Sequence, residues 1–165
     1  MNKKINDDLL EFHKIKDSEY NLLKEFTYLA IFIPEGVEPL HFSVVNHPEI
    51  KMYYHDFGKS DDLGVVAEYD NKVVGIAWVR IIPGYGHVDN KTPELSISVI
   101  PEYRNKGIGK LLLNNLFNLL VEEGYSKTSL SVQKANSAYH LYKKVGYRII
   151  EEKEEDYIML KELVK

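Results

Sequence analysis

The sequence contains no cysteine among its 165 residues. This absence excludes disulfide bonds, zinc sites built on thiolates and any mechanism that uses a cysteine nucleophile. The lack of cysteine fits a reducing compartment, so we expect a cytoplasmic protein. A chain of this length can bury a core without such cross-links, and we expect one domain over residues 1–165.

The chain also lacks long hydrophobic runs and an excess of positive charge. Its longest apolar stretch, near Leu29–Ile33, is far shorter than a membrane span, and its first ten residues lack the apolar core of a signal peptide. The formal net charge of −4 argues against a nucleic-acid binder. The six histidines show no metal-ligand spacing such as His-Glu-x-x-His. We therefore expect no metal, no membrane partner and no nucleic-acid partner.

Hydrophobic periodicity predicts a mixed α/β fold in which helices cover a sheet. The pattern predicts hairpins for the early strands and an alternation of strands and helices later in the chain. This combination favours a mixed sheet. The predicted strands are Glu11–Ile15, Val65–Tyr69, Val73–Ile82, Glu94–Ile100, Thr128–Val132, Tyr147–Glu152 and Tyr157–Leu160. The predicted helices are Glu19–Ala30, His47–Phe57, Gly107–Glu123 and Asn136–Val145.

A basic loop with two glycines joins the predicted strand Glu94–Ile100 to the helix that follows it. The first N–H groups of a helix have no internal partner, and the helix dipole adds positive charge there, so such an end accepts phosphate oxygens. Gly107 and Gly109 would let a ligand approach the backbone closely. Arg104 and Lys106 add charge for an anion with more than one phosphate. The loop therefore predicts a pyrophosphate site.

Two common phosphate loops do not match this segment. A Walker A loop needs Ser or Thr after Gly-Lys, but Leu111 follows Lys110. The dinucleotide fingerprint needs a third glycine where this chain has Leu112. Taken alone, the two glycines could equally shape a turn before an ordinary helix.

Two segments together resemble the GNAT superfamily of N-acetyltransferases. Val99–Gly109 reads VIPEYRNKGIG, and Thr128–Tyr147 reads TSLSVQKANSAYHLYKKVGY. They resemble the coenzyme A signature and the late strand-Asn-helix segment of that family, and the resemblance extends over Leu63–Leu160. It implies the GNAT fold: a central, mostly antiparallel sheet with splayed strands, flanked by helices. It also implies transfer of an acetyl group from acetyl-CoA to a primary amine.

The resemblance assigns the cofactor-binding residues. The strand backbone would pair with the pantetheine arm, and the loop would hold the pyrophosphate through its amides. Asn136 would hydrogen-bond the cofactor arm, or simply cap a helix, or do both. The residues so assigned are Ile97, Ser98, Val99, Arg104, Asn105, Lys106, Gly107, Ile108, Gly109, Lys110, Asn136 and Tyr142.

The resemblance also names two catalytic residues. Tyr142 would protonate the departing thiolate, with Tyr139 as the second candidate, although an aromatic on this helix could equally be core. The spacing from Asn136 to Tyr142 is one residue shorter than is usual in the family. Glu94 would take the proton of the amine, unless it is a strand-edge charge that faces solvent. Without cysteine, direct attack of the amine is the simplest mechanism, with backbone amides near Val99 polarising the carbonyl.

The acceptor of the acetyl group has no motif in this chain. The resemblance places an acceptor pocket near Phe26, Tyr28, Ile33 and Phe42, which could also be ordinary core. We expect a small-molecule or peptide amine, and the family's habits are compatible with a homodimer. The alternative function is a non-catalytic acyl-CoA sensor, which would need neither catalytic residue.

Overall fold

A seven-stranded sheet runs through the described part of the chain, residues 4–164 of a computed structural model. Residues 1–3 and Lys165 lie outside that part. The first three residues belong to the N-terminal stretch in which the sequence shows no signal-peptide core. The strands are β1 (Leu10–Lys14), β2 (Leu63–Tyr69), β3 (Lys72–Arg80), β4 (Glu94–Val99), β5 (Lys127–Gln133), β6 (Arg148–Glu152) and β7 (Asp156–Glu162). Their order in the sheet is β1-β2-β3-β4-β5-β7-β6.

Four α-helices are assigned within residues 4–164 and flank this sheet: α1 (Leu23–Ala30), α2 (Pro48–Lys51), α3 (Ile108–Glu122) and α4 (Ala138–Lys144). The apolar face of α3, with Leu112, Leu116 and Leu120 fully buried, lies in the main core with the central strands. The mixed α/β fold is therefore confirmed. None of the helices in the described part is long and apolar enough to cross a membrane.

The sheet is splayed between its two parallel neighbours, β4 and β5. Within the described residues these strands have one register pair, Glu94 opposite Ser129. The amide of Ser129 and the hydroxyl of Thr128 both donate to the Pro93 carbonyl, at 3.0 and 2.9 Å. Beyond this anchor the strands diverge, and a gap opens toward their carboxyl ends. The predicted splayed strands are thus confirmed.

The register of β4 against β3 determines which backbone groups face the gap. The Ile100 amide donates to the Val74 carbonyl at 2.8 Å, and Ser98 lies opposite Ile76. Because residues of an antiparallel strand alternate between facing the partner and facing away, the Ser98 backbone faces β3. The backbone groups of Ile97 and Val99 therefore face the gap.

The first half of the chain departs from the predicted helices. The segment Asp17–Leu22 forms a 3-10 helix instead of the first turns of α1. Its Glu19 carboxylate turns back to His13 Nε2 at 2.9 Å and to the Lys16 amide at 2.9 Å. The predicted helix His47–Phe57 ends at Lys51, and the following carbonyls turn toward a buried arginine.

That arginine, Arg80 of β3, clamps the segment after α2 against the sheet. Its guanidinium donates to both carboxylate oxygens of Asp62 at 3.0 and 3.1 Å, and to the carbonyls of Met52 and His55 at 2.9 and 2.6 Å. The side chains of both charged partners are about 95% buried. Because the carbonyls bind Arg80, they do not continue the helix.

We expect Arg80→Met to lower the free energy of unfolding by about 3 kcal/mol, because it leaves the Asp62 carboxylate buried without its cation. Urea unfolding checks this change. Arg148→Met is the matched control, since Arg148 makes an exposed pair with Glu162 at 3.6 Å and should cost less than about 1 kcal/mol. Equal losses in the two variants would contradict a structural role for the buried pair.

Candidate active site

Two cavities lie along the gap between β4 and β5. The larger has a volume of about 810 Å³ and the smaller about 430 Å³. They share part of their walls: Ala30, Ile31, Phe32, Ile97, Asn136 and Tyr142. A molecule in one cavity would therefore meet a molecule in the other beside Ile97 of β4 and Tyr142 of α4.

The larger cavity contains the predicted cofactor-binding residues. Its lining includes all of them except Lys106: Ile97, Ser98, Val99, Arg104, Asn105, Gly107, Ile108, Gly109, Lys110, Asn136 and Tyr142. The backbone of Ser98 faces β3 and not the gap, and its hydroxyl donates to the Phe26 carbonyl at 2.6 Å. Of these three strand residues, Ile97 and Val99 present backbone groups to the gap, although the Val99 carbonyl already accepts from Arg104.

The N-terminus of α3 opens into the larger cavity. Gly107 precedes the helix with a φ of 84°, a left-handed conformation that favours glycine. Apart from Gly107 and its two chain neighbours, no atom of the described residues lies within 4 Å of where a Cβ would stand, so the backbone is open on that side. The first-turn residues Ile108, Gly109 and Lys110 line the cavity, and amides at this position have no partner within the helix. The geometry suits a phosphate group.

Arg104 ties the loop to its surroundings. Its Nε donates to the Val99 carbonyl at 2.8 Å, and its Nη2 donates to the Leu29 carbonyl at 3.4 Å. The side chain thus holds the loop against β4 and α1. Its charge remains beside the cavity, and direct contact with a pyrophosphate stays a prediction.

Tyr142 lies at the junction of the two cavities. Burial raises the pKa of its phenol to about 12, so the group stays protonated at neutral pH. Its hydroxyl has no hydrogen-bond partner among residues 4–164, and its ring packs edge-on against Tyr147 at 6.0 Å. Such a phenol can donate a proton to a neighbouring anion.

Asn136 lines both cavities at the start of α4. Its Oδ1 accepts from the Ala138 amide at 2.9 Å, so the predicted helix cap is present. Its Nδ2 has no partner in the described part of the chain, which leaves a donor for a ligand.

Glu94 lines the smaller cavity and is only 4% exposed. Its Oε2 accepts from the Tyr53 hydroxyl at 2.5 Å, whereas its Oε1 is buried with no hydrogen-bond partner among the described residues. Burial raises the pKa of this carboxyl, and the Tyr53 hydrogen bond only partly opposes that shift. The alternative of a solvent-facing edge charge is wrong.

Tyr53 is a site residue that sequence reasoning missed. Its hydroxyl donates to Glu94 and accepts from the Tyr85 amide at 2.8 Å, and its carbonyl accepts from Trp78 Nε1 at 2.9 Å. Burial, followed by the Glu94 charge, raises the pKa of its phenol. Tyr53 lies in an irregular segment after α2, where no motif or periodicity marks it.

The four residues predicted to form an acceptor pocket do not line one common cavity. Tyr28 and Ile33 line the larger cavity, while Phe26 belongs to the core and Phe42 packs edge-on against Tyr28 at 5.2 Å. None of these four residues belongs to the lining of the smaller cavity. Likewise Tyr139, the second candidate acid, packs against Tyr157 at 5.1 Å and lines neither cavity.

One group of possible metal ligands lies away from this site. The ligand atoms of His13, Glu19 and Glu68 are within 4.8 Å of one another, at the β1 end of the sheet. These residues line neither cavity, and the Glu19 carboxylate is already bound by His13 and by the Lys16 amide. We assign no metal to the site.

The model of the acetyltransferase (GNAT) family matches residues 24–147. Among curated proteins, the [ribosomal protein bS18]-alanine N-acetyltransferase of Haemophilus influenzae is 33% identical over 82 residues, which cover 50% of this chain and 52% of the relative. A probable N-acetyltransferase, san, of Drosophila melanogaster is 29% identical over 112 residues, 64% of this chain and 57% of the relative. The chain thus spans between half and three fifths of these two relatives' length.

Solved structures share the fold. The PaiA N-acetyltransferase of Thermoplasma acidophilum, in complex with coenzyme A, has a TM-score of 0.66 at 23% identity, with 93% of this chain and 98% of that one covered. An acetyltransferase of the GNAT family from Streptococcus pneumoniae has a TM-score of 0.67 at 20% identity, with 94% and 99% covered. At these identities the likeness concerns the fold alone.

Proposed function

Because the chain belongs to the GNAT family of acetyltransferases, we propose that it moves an acetyl group from acetyl-CoA to a primary amine bound in the smaller cavity. One observation carries this proposal: the two cavities meet at Tyr142, whose protonated hydroxyl has no hydrogen-bond partner among residues 4–164. An acid at that junction is what transfer from a thioester in one cavity to a nucleophile in the other requires.

The larger cavity is suited to the acyl-CoA. The pyrophosphate would lie at the N-terminus of α3, where Gly107 leaves the backbone open. The pantetheine arm would run along the gap and pair with the backbone of Ile97 and Val99, as an added strand pairs with a sheet edge. The thioester would then reach Tyr142 and Asn136.

The transfer follows from these positions. Glu94 accepts one proton from the acceptor's ammonium, directly or through water, and the free amine attacks the thioester carbonyl. The C–N bond forms, the C–S bond breaks, and Tyr142 gives its proton to the leaving thiolate. The resulting tyrosinate regains a proton from the new amide nitrogen. The backbone amide of Ile97, which lines both cavities, can stabilise the developing oxyanion, while the Val99 amide pairs with the pantetheine arm. One proton per turnover is released from Glu94 to solvent.

Thiol release tests the proposed function. Wild-type protein with acetyl-CoA and a broad panel of amines should release CoA thiol only when an accepted amine is present. Calorimetric titration of acetyl-CoA measures binding separately. The sensor alternative predicts binding of acetyl-CoA with no amine-dependent release. The buried, unpaired Oε1 of Glu94 and the position of Tyr142 at the junction of the two cavities favour the enzyme, because a sensor needs neither.

Glu94→Gln should lower kcat about tenfold at neutral pH and remove the acid limb of the pH profile. Glu94 acts as a base only when ionised, so the rate rises with pH through its pKa, which burial places above the ordinary range. Initial rates at saturating substrates between about pH 5 and pH 9 measure this limb. Glu152→Gln, an exposed carboxylate paired with Lys134, is the control and should keep the profile. An unchanged pH profile in Glu94→Gln would show that another group is the base.

A further inference from the structure

The charged side chains that line the smaller cavity are all acidic. Two carboxylates, Glu94 and Asp156, belong to its lining, and no lysine, arginine or histidine of the described residues does. Aromatic rings supply much of the remaining wall: Phe32, Tyr53, Trp78, Tyr85 and Tyr142. Carboxylates and aromatic faces both attract cations, and a cavity of about 430 Å³ suits a small molecule.

One end of this cavity has an acceptor atom without a donor. Glu94 Oε1 is buried and unpaired, although buried polar atoms in native proteins are normally hydrogen-bonded. Its sister oxygen already accepts from Tyr53. This oxygen can therefore accept from a donor that enters the cavity from outside the chain, such as a water or an amine.

The other end has a second negative region. Asp156 opens β7 opposite Gln133, and the Tyr85 hydroxyl donates to Glu49 at 2.9 Å. Burial raises the pKa of Tyr85, followed by the hydrogen bond and charge of Glu49 and then by the charge of Asp156. The nearby cation, Lys134, is bound to Glu152 at 2.6 Å and does not line the cavity.

The sheet register sets the distance between the two ends. Glu94 lies opposite Ser129 and Asp156 opposite Gln133, four residues farther along β5. At about 3.3 Å per residue, the two carboxylate-bearing positions are about 13 Å apart along the strand. Because β4 and β7 flank β5 on opposite sides, these positions are also about 10 Å apart across the sheet. The rings of Tyr53 and Tyr85, which stack at 6.3 Å, both belong to the wall of this cavity.

We propose that the acceptor is an aliphatic amine that carries a second cationic group several carbons away and no carboxylate. The second cation would bind at Asp156 while the reacting nitrogen points to Glu94. An amino acid fits poorly, because its carboxylate would enter an acidic cavity that offers it no cation. This inference rests on the proposed function, since it names the acceptor of that same reaction.

Three amines of matched length test this class: 1,5-diaminopentane, 1-aminopentane and 5-aminopentanoate, each with saturating acetyl-CoA and wild-type protein. We expect kcat/KM for the diamine to exceed that of the monoamine about tenfold, mainly through KM, and the amino acid to be poorest. Equal values for the three, or preference for the amino acid, would overturn the proposal while leaving acetyl transfer intact.

The Asp156→Asn variant tests whether Asp156 binds the second cation, because a general loss of activity would lower kcat/KM for the diamine and the monoamine alike. It should reduce the diamine-to-monoamine ratio of kcat/KM about tenfold. Glu155→Gln, an exposed acid next in the chain that lines neither cavity, should leave the ratio unchanged. A ratio that Asp156→Asn does not move would overturn the proposal.

A second readout keeps the two proposals distinguishable. If no amine supports thiol release, the proposed function fails. Calorimetric titration of the same three amines into the wild type and Asp156→Asn then decides the acceptor class, because binding needs no chemistry. Tighter binding of the diamine that is lost in Asp156→Asn supports the class, and indifferent binding rejects it.

Discussion

Replacement of Tyr142 by phenylalanine should lower kcat about a hundredfold to a thousandfold and leave the Kd for acetyl-CoA within about a factor of two. The variant keeps the ring that packs against Tyr147 and removes only the hydroxyl, which has no hydrogen bond to lose among the described residues. The thiolate would then leave without an acid positioned beside it.

Tyr139→Phe is the matched control for this measurement. Tyr139 lies on the same helix, α4, but its ring packs against Tyr157, and it lines neither cavity. Steady-state kinetics should show wild-type kcat for this variant. Full activity in Tyr142→Phe, or an equal loss in both variants, would remove Tyr142 from the role of general acid.

The loop where we place the pyrophosphate could be predicted because its signals are local. A strand, a positive-φ glycine and an apolar helical stripe lie within a few residues of Gly107, and each constrains the next. The loop residues of the motif, apart from Lys106, consequently line the larger cavity as expected. By contrast, the cofactor roles of Ile97, Asn136 and Tyr142 are predicted from the family resemblance and not from local chemistry.

The smaller cavity, where we place the acceptor, could not be predicted because its contacts are distant in sequence. Tyr53 reaches Glu94 across 41 residues, and Arg80 reaches the carbonyl of Met52 across 28. Periodicity carries no information about such pairs, and arginine is rarely fully buried unless it is paired. The orientation of Glu94 likewise depends on the register between β3 and β4, which tertiary pairing decides.

Gly107→Leu should raise the Kd for acetyl-CoA about tenfold to a hundredfold while the protein still folds. The side chain would project into open space beside the N-terminus of α3, where we place the pyrophosphate. A left-handed φ of 84° adds strain of about 1–2 kcal/mol to the folded state. Calorimetric titration and urea unfolding measure the two effects separately.

Gly124→Leu is the matched control, because Gly124 follows the other end of α3 with a φ of 90° and equally open surroundings. Both variants should lose similar stability, but only Gly107→Leu should lose affinity. S-acetylpantetheine, which lacks the pyrophosphate, sharpens the comparison, since its turnover should be equal in Gly107→Leu and the wild type. If Gly107→Leu bound acetyl-CoA with wild-type affinity, the phosphates would have to bind away from this helix. A ligand packed against the open backbone would collide with a leucine side chain at this position and would bind more weakly.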